Sequence, residues 1–277
     1  MITGKTQLIA HLGYPTEAFK APMIYNPWFE ARGIDAVVVP MGVKPDDFPA
    51  ALQALARITN LRGALVTMPH KITALALADD ATPTARIAGA GNALLLRPDG
   101  TWLADQFDGA GFVRGVQRKG RELRGASALV VGCGGVGSAI AASLAAAGVA
   151  TLALYDSRAE GALALRGRLA EHYPALGVRV GSNDPRGYDV VVNATPLGMH
   201  DADPLPFDIA RLERRSFVGE VVMKNEVTPL LKAAQEIGCD VQVGSDMLFE
   251  MIPAYLEFFG YGSASVDELR AVAQIRY

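Results

Sequence analysis

Short apolar runs alternate with stretches of helical spacing along the chain. Thr6 to Leu12, Ala36 to Val39 and Ala64 to Thr67 read as strands. Between them, Pro22 to Arg32 reads as a helix. Pro45 to Ile58 repeats apolar side chains at Phe48, Leu52, Leu55 and Ile58, with Pro45 in the early position a helix tolerates. Gly91 to Leu96 and Thr101 to Ala104 flank Arg97-Pro98-Asp99-Gly100, which predicts a hairpin turn. A stronger rhythm begins near Ser127. Strands are expected at Ser127 to Val131, Thr151 to Tyr155, Val178 to Val180, Asp189 to Asn193, Phe217 to Val222 and Val241 to Val243. Helices are expected at Val136 to Ala147, Glu160 to His172, Pro229 to Ile237 and Met247 to Phe259. Near-continuous apolar strands separated by helices belong to a sheet covered on both faces, a doubly wound parallel sheet. The expected fold is therefore α/β, with an N-terminal α/β domain followed by a Rossmann domain. The charged, glycine-containing stretch Arg114 to Arg124 reads as a surface helix and connector.

Composition narrows the function classes. Half of the 277 residues are hydrophobic and 20% are charged, which suits one large or two modest globular domains. The formal net charge is -3 and no basic run stands out, so neither a nucleic-acid nor a membrane-surface role gains electrostatic support. Ser138 to Tyr155 is apolar enough to suggest a membrane span, but Gly148 splits it into an Ala-rich half and a strand-like half, so a buried helix followed by a buried strand is expected. The two cysteines, Cys133 and Cys239, indicate no disulfide framework, and neither has a Cys or His nearby at zinc-ligand spacing. The first residues lack the basic and apolar segments of a signal peptide. The expected location is cytoplasmic.

The segment with the clearest chemistry is Gly132-Cys133-Gly134-Gly135-Val136-Gly137, which follows an apolar strand and opens a helix. Gly132 permits a tight turn, Gly134 lets backbone approach a pyrophosphate, and Gly137 lets the helix pack on the strand. The helix N-terminus then offers free N–H groups and partial positive charge to phosphates. Asp156 ends the next expected strand about 20 residues on, where a ribose-binding acid stands in the dinucleotide fingerprint. Its carboxylate suits ribose hydroxyls and repels a 2′-phosphate, which points to NAD rather than NADP. Arg158, two residues on, tempers that preference. Asn193-Ala194-Thr195-Pro196-Leu197-Gly198 ends a later strand, and open α/β sheets bind ligands at the carboxyl ends of their strands.

Taken in order, Gly13-Tyr14-Pro15, Val66-Thr67-Met68-Pro69-His70-Lys71, Gly91-Asn92-Ala93, Asp105-Gln106-Phe107-Asp108-Gly109, the glycine loop, Asn193-Ala194-Thr195 and Gly244-Ser245-Asp246-Met247-Leu248 resemble the shikimate dehydrogenase family over essentially the whole chain. The resemblance implies a substrate domain at residues 1–107, completed by C-terminal helices at 246–277, and a nucleotide domain at 108–245. It implies oxidation of a ring secondary alcohol of the shikimate or quinate kind. Lys71 matches the family's catalytic lysine and Asp108 its catalytic aspartate; Thr67 and Asn92 match substrate-contacting positions. For the cofactor it implies residues 132–137, Asp156, Ser157, Arg158, Asn193, Ala194, Thr195, Pro196, Val221, Gly244, Met247 and Leu248. A lysine takes up the hydroxyl proton only in its neutral form, which burial favours and a neighbouring carboxylate opposes. His70 matches no family role and reads as a surface or packing residue; His11, His172 and His200 form no recognisable set.

The departures from the family are one-sided. Its members carry two serines, as Ser-x-Ser-Pro, that hold the substrate carboxylate; here the stretch is Phe19-Lys20-Ala21-Pro22. Losing two hydrogen bonds to a charged group costs roughly 3–6 kcal/mol unless Lys20 or another group compensates. Met223 stands where the family has a tyrosine, Met251 where it has a glutamine, and Gln106-Phe107 where it has Asn-Thr. The nucleotide and proton-transfer groups survive while the substrate grip changes. The expectation is a paralogue that keeps the reaction and alters the substrate: a less polar or differently substituted cyclic alcohol, or an amino-substituted analogue. A regulatory or ligand-binding protein that keeps NAD on the same fold is the alternative. A folate-type dehydrogenase would need a different lysine motif. A homodimer through the N-terminal sheet edge stays open.

Overall fold

The computed structural model describes residues 2–200 and 202–276. Two units emerge from the packing. One takes in the chain to Phe107 together with Met251–Arg276, and the other is Asp108–Glu250.

In the first unit the elements run β1 (Gln7–Gly13), α1 (Pro22–Ala31), β2 (Ala36–Gly42), α2 (Phe48–Leu55), β3 (Leu61–Val66), α3 (Lys71–Leu77), β4 (Asp80–Ala81), α4 (Pro83–Ala88), β5 (Ala93–Leu96) and β6 (Trp102–Asp105). The sheet has the order β2-β1-β3-β5-β6-β4. Strands β2, β1 and β3 are parallel, whereas β5 runs antiparallel to both β3 and β6. The β5–β6 connection is the hairpin expected at residues 97–100: Gly100 N–H donates to the Arg97 carbonyl at 2.9 Å, with Gly100 at φ +85°. Ala10, Leu12, Ala64, Val66 and Leu94 pack with Phe48, Leu52 and Trp102 into the core beneath the sheet.

The expected 45–58 helix is divided. Pro45–Asp47 forms a 3-10 turn and α2 starts afresh at Phe48. Pro49 is the cause, since a proline without an N–H and with fixed φ is accommodated only in a helix's first turn. Helices α3 and α4 are too short for a 3.6-residue period to show in the sequence.

The second unit runs α5 (Asp108–Arg118), β7 (Ser127–Val131), α6 (Gly135–Ala146), β8 (Thr151–Tyr155), α7 (Ala159–His172), β9 (Gly177–Val180), β10 (Val190–Asn193), β11 (Phe217–Glu220), α8 (Pro229–Ile237) and β12 (Asp240–Gln242). Helix α9 (Gly244–Phe259) begins in this unit and ends in the first, where α10 (Val266–Val272) follows. The sheet order is β12-β11-β10-β7-β8-β9 and every pairing is parallel. This is the doubly wound Rossmann order, which reverses between β7 and β10 and leaves a ligand crevice at the carboxyl ends of those strands. The apolar stretch 138–155 is divided between α6 and β8, and among the described residues no helix is long and apolar enough to cross a membrane.

The stretch 114–124 holds the end of α5 and a connector, as expected: Arg114, Gln117 and Arg118 are exposed, while Phe112, Val113, Gly115 and Val116 of α5 and Leu123 of the connector are buried, so α5 also packs along one face. A Cβ on Gly109 would lie 2.0 Å from the Ala139 carbonyl oxygen and 2.4 Å from Ser143 Oγ, so α5 and α6 meet backbone to backbone. Gly109→Ala should therefore overpack this contact and lower unfolding free energy by about 1–3 kcal/mol in denaturant titration; an unchanged midpoint would contradict so close a contact.

Candidate active site

In the first unit three of the expected substrate residues, Thr67, Asn92 and Phe19, stand by the carboxyl ends of β1 and β3. The Thr67 N–H donates to the Leu12 carbonyl at 2.8 Å, which fixes the residues after β3 against those ending β1. Lys71 opens α3 and is 9% exposed. Its carbonyl accepts from Gly91 N–H at 2.8 Å, so the residue before Asn92 is tied to the lysine's own backbone. Asn92 is fully buried. Its carbonyl accepts from Val66 N–H at 2.7 Å and from the Tyr255 hydroxyl at 3.0 Å, and its Oδ1 accepts from Phe107 N–H at 3.0 Å. The Asn92 Nδ2 has no partner among the described residues, which leaves a rigidly held donor.

Thr67 and Phe19 are brought together at Gly13: a Cβ there would lie 2.4 Å from Thr67 Cγ2 and 2.7 Å from Phe19 Cζ. Only glycine fits. Ala21 stands elsewhere, buried at the start of α1, and Met251 is partly buried on α9. The Lys20 ammonium donates to the Arg276 carbonyl. His70 is a packing residue, as expected: it is buried, stacks on Phe48 at 4.1 Å and bonds through Nε2 to the Val43 carbonyl at 2.7 Å. His172 and His200 are exposed.

Sequence reasoning passed over His11. It lies on β1, buried, and its ring stacks on Phe19 at 4.1 Å. Burial, helped by the nearby Lys71 charge, pushes the imidazole down to about 3, so it is neutral throughout the physiological range. The only signal in the sequence was a polar ring inside an apolar strand.

The nucleotide residues gather in the second unit. Gly132 adopts φ +99°, and a Cβ on it would lie 2.7 Å from the Ala194 carbonyl oxygen. A Cβ on Gly137 would sit 1.8 Å from the Gly132 carbonyl oxygen. Gly134, by contrast, has open space where a Cβ would be, and the first turn of α6 follows it. That combination suits the phosphates of a dinucleotide. The Asp156 carboxylate accepts from Cys133 N–H at 2.7 Å and from Arg158 N–H at 2.9 Å. It thus organises the loop and still has lone pairs for a ribose. Ser157 and Arg158 are exposed. Burial, then the Asp156 charge, pushes the Cys133 thiol up to about 12, so it is not a nucleophile.

Asn193 Oδ1 accepts from Thr195 N–H at 3.1 Å and from its hydroxyl at 2.6 Å, while Asn193 Nδ2 donates to the Leu197 carbonyl at 3.0 Å. These bonds fold residues 193–198, with Pro196, into a loop that reaches Gly132. Val221 N–H donates to the Asn193 carbonyl at 3.3 Å, and a Cβ on Gly244 would lie 2.3 Å from the Val222 carbonyl oxygen. Met247 and Leu248 are buried on α9. Gly135 and Val136 open α6. Asp108, at the start of α5, is buried in this unit, whereas Lys71 belongs to the other.

Glu220 was also missed. It pairs in register with Asn193 and is fully buried. Neither carboxyl oxygen makes a well-formed hydrogen bond, although Thr228 and Asn193 approach closely enough to oppose the effect of burial. Burial wins and pushes the carboxyl from 4.5 up to about 7.

A Rossmann unit with a fitted glycine loop, joined in one chain to a separate α/β unit, suits the class of nucleotide-dependent dehydrogenases. Comparison with known proteins gives the family. Residues 12–94 match the shikimate dehydrogenase substrate binding domain, and residues 112–158 match the ThiF family. A shikimate dehydrogenase (NADP(+)) of Acidiphilium cryptum is 36% identical, the match covering 99% of this chain and 98% of that one. Another from Rubrobacter xylanophilus is 36% identical, covering 89% and 88%. Among solved structures, the shikimate dehydrogenase of Aquifex aeolicus superposes with a TM-score of 0.88 at 25% identity, covering 98% of this chain and 99% of that one. The quinate dehydrogenase of Corynebacterium glutamicum in complex with NAD gives 0.85 at 27% identity, covering 96% and 98%. The chain belongs to the shikimate dehydrogenase family and is an oxidoreductase of that family.

Glu220 yields a prediction on stability. The folded protein holds this proton between pH 4.5 and about 7 while the unfolded chain releases it, so stability falls as pH rises through that window and then levels. Glu220→Gln should flatten the fall and be more stable than wild type at pH 8, by on the order of 2–3 kcal/mol, in denaturant titrations at pH 5 and pH 8. Parallel pH profiles for the two proteins would contradict a protonated Glu220.

Proposed function

We propose that the protein is an NAD-dependent oxidoreductase that interconverts a ring secondary alcohol and its ketone, with Lys71 handling the hydroxyl proton. The observation that carries this reading is the constellation at the carboxyl ends of β1 and β3. A buried Lys71 residue and an unpartnered Asn92 amide are held by one hydrogen-bonded backbone segment. Asn92 Nδ2 donates to a ring oxygen and fixes the ring, and Lys71 Nζ takes the proton from the reacting hydroxyl. Thr67 contacts the same ring. Asp108 is the carboxylate that orients lysine and hydroxyl, a role that rests on its match to the family motif.

Residues 132–137 and the 193–195 loop are the part of the chain that would hold the dinucleotide. The nicotinamide supplies the hydride acceptor when bound. Asp156 faces the adenosine ribose in this reading, and its charge disfavours a 2′-phosphate. The curated relatives carry NADP(+) in their names, so NAD use marks a difference from them; the quinate dehydrogenase is one of the solved neighbours that hold NAD, and others hold NADP.

Lys71→Met should lower kcat for the alcohol by about 10²–10⁴-fold and leave the NAD dissociation constant within about twofold. Wild-type turnover in that variant would remove Lys71 from the chemistry. Asp156→Asn keeps an acceptor for the Cys133 N–H and removes the charge. It should narrow the ratio of kcat/KM with NAD to that with NADP by at least about tenfold. An unchanged ratio would place cofactor choice elsewhere.

A further inference from the structure

Resting on the reading that this site takes a ring alcohol, we infer that His11 and Phe19 form a neutral aromatic wall that sets specificity. The substrate edge meeting this wall carries no carboxylate.

Three observations carry the inference. First, the wall is fixed. His11 lies on β1 between Pro40 of β2 and Leu65 of β3, and its ring stacks on Phe19 at 4.1 Å with the planes 27° apart. The tip of Phe19 and the methyl of Thr67 both crowd Gly13, so the aromatic pair adjoins a residue of the substrate set. Second, the wall is uncharged. The imidazole is neutral, its Nδ1 is buried without a partner among the described residues, and the side chains of Phe19 and Ala21 offer no donor. The Lys20 ammonium, which the sequence offered as a replacement anchor, donates to the Arg276 carbonyl. Third, the positive charge that reaches His11 is that of Lys71.

A carboxylate against this wall would be stripped of water beside two ring faces, which costs several kcal/mol unless a cation pairs with it. An ester, an amide, a hydroxymethyl or a bare ring carbon carries no charge to desolvate. His11 then contributes polarity without charge: a neutral imidazole nitrogen can exchange one hydrogen bond with a substrate hydroxyl, and its face extends the Phe19 surface.

The test compares shikimate with its methyl ester, both with NAD. Steady-state kinetics and calorimetric binding are measured on wild type and on the Phe19→Ser/Ala21→Ser double variant. Wild type should favour the ester by at least about tenfold in kcat/KM and in Kd, and the double variant should shrink that preference at least tenfold by gaining affinity for the acid. Calorimetry in buffers of different ionisation enthalpy should show no proton uptake when either ligand binds wild type. Preference of wild type for the acid overturns the inference, whether or not the double variant folds. So does proton uptake on acid binding that His11→Leu abolishes, because His11 would then be a cationic anchor. Failure of wild type to bind either ligand also overturns it. The underlying reading fails separately: if the ester binds preferentially but no ring alcohol is turned over in a Lys71-dependent way, the wall stands and the enzymatic assignment falls.

Discussion

The close approach of backbone to backbone around Gly132 is the constraint on which the nucleotide half depends. Gly132 lies under the Ala194 carbonyl and over Gly137 with no room for a methyl group at either position. That contact fixes the start of α6, the direction of its N–H groups and the place of the 193–198 loop together. Asp156 secures the arrangement through Cys133 N–H, so one carboxylate supports the loop and, in the proposed reading, faces the ribose. A side chain that combines support with recognition cannot be replaced freely, which is why the amide rather than alanine is the informative substitution there.

The substrate half repeats the device with different chemistry. Gly13 is crowded by Thr67 and Phe19 as Gly132 is by Ala194, and again a missing Cβ lets functional side chains converge. What converges differs. In place of donors for an anion there is a neutral histidine on a phenylalanine, beside a lysine whose charge helps to keep that histidine neutral. The Lys71 charge thus discourages a second cation next to it, and His11 stays neutral.

Much of this was legible in the sequence, for physical reasons. Strands buried on both faces announce themselves as continuous apolar runs, so β7, β8, β10 and β11 of the second sheet were placed within a residue or two. The loop at 132–137 was legible because each glycine there answers a steric demand. Short elements such as α3, α4 and α10 were not, since six or seven residues show less than two helical turns of pattern. The close contact of α5 with α6 was hidden because it is made at Gly109, and glycine carries no hydrophobic signal. The shifted groups His11 and Glu220 were invisible for a different reason. Their character comes from burial and from neighbours far away in sequence, Phe19 and Lys71 for one, Asn193 and Thr228 for the other. No local pattern encodes a shifted pKa.

The central claim is that this fold pairs an NAD-selective nucleotide site with a ring-alcohol site, and cofactor choice is its most exposed part. Calorimetric titration of the wild-type protein with NAD and with NADP at equal ionic strength tests it most directly. The account predicts tighter binding of NAD, by about tenfold or more, from the charge of Asp156 against a 2′-phosphate. Tighter binding of NADP would contradict it.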